Sequence, residues 1–100
     1  MMPLHPLLIQ MLNQTIDHEI SSIPPFVKAC RTEDSKNAFH LRNPEDFALG
    51  MSLGTILESF RVAFAAAFGR TLTPEEMLGV LTVVFNRANE IRSAIVGVSN

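Results

Sequence analysis

Only residues 69–73 separate two long stretches that both read as helix, and so short a connection folds the second rod back against the first, antiparallel and adjacent. The first rod opens on Asn43-Pro44-Glu45-Asp46. Here a capping asparagine, a proline whose missing N–H is no loss at the first helical position, and two acids facing the positive end of the helix dipole coincide. It should end at Phe68, because Gly69 can take the left-handed conformation that closes a helix. Leu49, Leu53, Ile56, Phe60, Phe64 and Ala67 recur by threes and fours as its inner seam, with Leu57 and Phe68 beside them. The second rod opens on Thr73-Pro74-Glu75-Glu76, a capping box, with Leu72 and Met77 placed as a hydrophobic staple across it. Met77, Leu81, Val84, Ala88, Ile91, Ile95 and Val98 then alternate by fours and threes, which is a heptad seam. The expected rods cover residues 44–68 and 74–96, with their seams facing each other.

A third helix is expected over residues 6–21, starting at Pro6. Leu4, Leu8, Leu12, Ile16 and Ile20 form one apolar side, opposite Gln10, Asn13, Gln14, Asp17 and His18. Pro24-Pro25 should end it, since neither proline can donate an intrahelical bond and the first disfavours the helical region at Ile23. A single turn of helix could follow from Phe26 to Cys30. Residues 31–43 are polar and aperiodic and read as a connecting loop, tacked down by Ala38, Phe39 and Leu41. No strand pattern or internal repeat competes. The fold class is all-α: one domain of three main helices, a helical hairpin plus an N-terminal helix.

The rod over residues 44–68 is apolar on more than one side. Between Phe47 and Phe68 its only charges are Glu58 and Arg61. Apolar residues make up 47% of the chain and charged ones 18%, so the surface has few charges to spread. The usual charged share is about 25%. At about 1.5 Å per residue the rod is roughly 37 Å long, enough to cross a bilayer. Glu58 and Arg61 sit mid-span, however, where insertion costs roughly 2.5–3.5 kcal/mol for most charged side chains, and this argues against a membrane. A second copy is the alternative cover. Gly50 and Gly54, one turn apart, would let another backbone approach closely, which would offset the roughly 1 kcal/mol each glycine costs inside a helix. The expected interface comprises Phe47, Gly50, Met51, Gly54, Glu58, Arg61 and Ala65, completing a helical bundle as a homodimer.

Chemistry is hard to find. His5, His18 and His40 lack any His-x-x-x-His spacing, and neighbouring helical residues such as Asp17, His18 and Glu19 point about 100° apart, so no metal site is expected. Cys30, the single cysteine, would lie at a helix C-terminus, which disfavours a thiolate, and it forms no intramolecular disulfide. The acid pairs Glu45-Asp46 and Glu75-Glu76 are accounted for by first turns, while Glu33-Asp34 sits in the polar loop. No phosphate cradle or nucleophile elbow is present. No catalytic residue and no cofactor are expected.

The net charge of −2 is spread along the chain, with no basic stripe for nucleic acid. The residues therefore point to a non-enzymatic protein–protein interaction module or small regulatory subunit, cytoplasmic and dimeric, whose other partners are not named by the sequence. Two alternatives stand beside it. One is a small-ligand-binding or enzymatic bundle with an apolar pocket lined by Phe60, Phe64 and Phe68; the other is a nucleic-acid-associated regulator.

Overall fold

The structure, a computed structural model, describes residues 4–99 and is all-helical, with five helices and no strand among them. They are α1 (Pro6–Cys30), α2 (Glu33–Phe39), α3 (Pro44–Phe68), α4 (Pro74–Asn86) and α5 (Ala88–Val96).

α1 begins where His5 Nδ1 accepts the Leu7 N–H at 3.1 Å, with Pro6 just inside. It does not stop at Ser21 as its prolines suggested, but runs through Pro24 and Pro25 to Cys30. Both prolines are exposed, while Ile23, Val27 and Cys30 bury. A proline inside a helix costs roughly 3 kcal/mol, and each large apolar side chain fully buried returns about 1.5–3 kcal/mol, so the tertiary contacts can hold the helix together. The Ser21 and Ser22 hydroxyls both donate to the His18 carbonyl, at 2.6 and 3.2 Å, just before the interrupted ladder.

The expected loop over residues 31–43 is largely helix. Thr32 Oγ1 accepts the Ser35 N–H at 3.2 Å, and Glu33 and Asp34 occupy the first turn. These are ordinary start signals inside a polar run that has no apolar period. α2 buries none of its residues and ends at His40, which takes the left-handed conformation at φ 54°.

α3 forms on its two signals: Asn43 Oδ1 accepts the Asp46 N–H at 3.1 Å, and Gly69 closes the helix at φ 66°. Its buried row is Ala48, Ser52, Ile56, Phe60 and Phe64. Leu49 and Leu53 are only partly buried and Ala67 is exposed, so the seam is rotated from the expected one. The reason is α1, whose most extensive interface is with α3 and which also packs on α4 and α5. The anticipated face-to-face contact of two heptad seams is replaced: α3 and α4 scarcely touch, and α3 meets α5 instead.

The second rod is not one helix but two, because it breaks at Arg87 (φ −103°, ψ 4°). The Arg87 guanidinium donates to Asn13 Oδ1 at 3.1 Å, to Asp17 at 2.7 Å and to Glu90 at 2.7 Å, with only 21% of the side chain exposed. It thereby ties the junction of α4 and α5 to the middle of α1, more than a surface pair with Glu90 would do. A second arginine acts likewise at the opposite end. Arg31 donates to Glu45 at 3.0 Å and to the Val98 carbonyl at 2.6 Å, joining the end of α1 to the start of α3 and to the residues after α5.

The capping box at α4 is formed by Thr73 and Glu76. Glu76 also takes two bonds from Arg70, at 2.8 and 3.0 Å, and the Arg70 guanidinium lies 4.9 Å from the centre of the Phe64 ring. The Arg70 guanidinium foremost, and the Thr73 N–H after it, pull the Glu76 carboxyl from its ordinary 4.5 down to about 2. A carboxyl more acidic in the folded chain than in the unfolded one contributes stability above pH 4.5 that fades as pH falls toward 2. Glu76→Gln will therefore flatten the acid limb of a plot of urea midpoint against pH in that window. An acid limb identical to that of the parent chain would contradict the assignment.

Candidate interaction face

One side of α3, opposite its buried row, is largely uncovered within a single copy. Phe47, Met51, Gly54, Glu58, Arg61 and Ala65 follow one another by fours and threes, a second heptad stripe opposite the buried row. Met51, Gly54, Glu58 and Arg61 are exposed, while Phe47 and Ala65 are half-buried. Gly50, Met51, Gly54, Thr55, Glu58 and Ser59 line a broad, shallow groove of about 330 Å³. Within one chain nothing fills it, since a Cβ added at Gly50 or Gly54 would meet no atom within 4 Å.

Glu58 and Arg61 stand in this stripe as a bidentate pair at 2.9 and 2.6 Å. The hydrogen bonds from Arg61 lower the Glu58 pKa. Both side chains remain solvated, so the pair is open to exchange of partners at small cost.

The phenylalanines expected to line a pocket separate into different environments. Phe60 is sealed in the core. Phe64 and Phe68, with ring centres 4.8 Å apart, do reach an open groove of about 390 Å³. It lies where α1 begins and α3 ends, and His5, Leu7, Arg70 and Glu76 complete it. Arg70 and Glu76 are already satisfied by each other there. A different cavity was not anticipated: Phe39 stacks on Phe47 with centroids 5.6 Å apart, roofing a space that Cys30 also lines. The only hint in the sequence was that Phe39 interrupts a polar run.

Among the described residues, no three His, Cys, Asp or Glu side chains gather as metal ligands, and α3 is the one helix long and apolar enough to cross a membrane. No protein-family model matches the sequence, and no curated protein and no solved structure matches it either.

Proposed function

We propose that this chain is a non-enzymatic interaction module or small regulatory subunit that works as a homodimer in the cytoplasm, pairing through the outer stripe of α3. One observation carries the reading: only 22% of the most apolar part of α3 is buried within a single copy. The shape agrees. The radius of gyration is 14.9 Å, against about 13 Å for a compact domain of this length. An elongated chain with one side of α3 uncovered suits half of a bundle.

The stripe is also self-complementary. An antiparallel crossing centred between Ser59 and Phe60 sets Glu58 of one copy opposite Arg61 of the other, and Gly54 opposite Ala65. The small residues permit close approach, and the charges exchange their local partners for those across a two-fold axis. In this register Phe47 lies at the edge of the contact, where it keeps its stack on Phe39.

Sedimentation at micromolar concentration should show a species of twice 11.1 kDa. Glu58→Arg and Arg61→Glu should each weaken pairing, and the double swap should restore it. A monomer at every concentration, or a chain that instead floats with neutral phosphatidylcholine vesicles, would overturn the reading.

A further inference from the structure

The cavity beneath α2 adjoins the pairing stripe, with Phe47 and Met51 belonging to both. It measures about 220 Å³ and is walled by Phe26 and Cys30 of α1, Ser35 and Phe39 of α2, and Phe47 and Met51 of α3. No charged side chain lines it. α2 supplies one wall yet buries none of its own residues, and the Phe39 ring over the space is 62% exposed, leaving it partly open to solvent. The tie across to α3 is the stack of Phe39 on Phe47, with the rings 23° from parallel. One end of α2 is held by a local Thr32 cap, and the other is His40, strained in a conformation that suits glycine. A segment with so few buried contacts opens at far lower free energy than the core.

We propose that this cavity is a binding pocket for a single uncharged ring or a short branched aliphatic group, and that α2 is the flap that opens to admit it. Size bounds the class of ligand: an enclosed apolar cavity of about 150 Å³ accommodates benzene, and this space of about 220 Å³, open on one side, has room for a group of that order. Lining chemistry sets the charge, because an ionised ligand would lose its hydration and find no counter-ion. The Phe26 and Phe47 side chains and the pliable Met51 thioether that line it suit a flat or branched apolar group. The pocket is formed within a single copy, and Met51 is the one side chain it shares with the groove on α3.

Cys30 reports on the flap. Its thiol is free and buried against the cavity, and burial first, then the Glu45 carboxylate, pushes its pKa up, so a closed flap leaves it unreactive. The experiment follows disulfide exchange between Cys30 and the uncharged reagent 4,4′-dithiodipyridine, in which the thiolate attacks the S–S bond and one thiopyridone leaves. Phe39→Ala should speed the reaction about tenfold, the equivalent of losing one ring pair. His40→Gly, which relieves the strain and steadies the flap, should slow it several-fold. Saturating toluene should slow the wild-type reaction and shift the Met51 methyl resonance. The proposal is overturned if Phe39→Ala and His40→Gly both react at the wild-type rate, or if toluene moves neither the rate nor the resonance. It is equally overturned if the rate climbs with urea as steeply as global unfolding does, since the thiol would then be reached only in the unfolded chain.

Discussion

Replacing Gly50 and Gly54 together with alanine will stabilise the isolated chain by about 1–2 kcal/mol, and the same change will weaken pairing at least tenfold. The two effects have opposite signs because the glycines have different neighbours in the two states. Within one copy both positions are exposed, lie in ordinary helix, and leave an added Cβ in open space. Alanine there only gains helix propensity, which for a domain of this size raises the melting temperature by roughly 4–8 °C per kcal/mol. Against a second helix 8–10 Å away, axis to axis, two methyl groups per copy hold the backbones apart. Urea unfolding at nanomolar concentration measures the first effect and sedimentation the second. A stabilised variant that pairs as tightly as its parent would remove α3 from the interface. A destabilised one would mean that the glycines serve the chain's own packing.

Phe60→Ala will lower stability by about 3–5 kcal/mol, seen as a fall in the urea midpoint without a change in slope. Phe60 is the largest side chain buried completely, and it lies in the α3 row that packs on α1. A ring removed from a close-packed core leaves a void that its neighbours only partly fill. With whole-domain stability usually about 5–15 kcal/mol, the variant should be partly unfolded at 37 °C. Phe85 is the matched control. It is 61% exposed, and its truncation should cost within about 0.5 kcal/mol. Equal losses at the two positions would mean that the core has been drawn through the wrong side of the molecule.

Both expectations rest on parts of the chain whose structure could be read locally. Asn43, Thr73 and Gly69 announce their helix ends through bonds that span three or four residues, and the structure makes those bonds. Three of the misreadings involve contacts between residues far apart in sequence. Pro24 and Pro25 looked like a terminus because nothing nearby reveals how deeply Ile23 and Val27 are buried. The break at Arg87 depends on Asn13 and Asp17, some seventy positions upstream. The seam of α3 is turned because α1, not the following helix, lies against it. α2 escaped notice for the opposite reason: it forms on its own cap and acids, with no buried side to leave an apolar period.

The candidate surfaces divide in the same way. An excess of apolar residues over what one copy shelters was legible from the scarcity of charge along α3. Which aromatic rings reach solvent was not, since Phe60, Phe64 and Phe68 carry the same spacing yet differ in burial from complete to half-exposed. The space under Phe39 required two rings from different helices to meet, and no periodicity encodes that.

The place of α1 at the centre has a consequence for the newborn chain. It is made before the helices it binds, and Arg31 waits for the Val98 carbonyl and Asn13 for Arg87. At about 5–20 residues per second, roughly 3–14 s separate the synthesis of Cys30 from that of Val98. Until α4 and α5 are made, the row from Leu8 to Val27 has at most α2 and α3 to lie against, so a holdase that grips bare apolar helices should find its best moment on this polypeptide before the last two helices emerge.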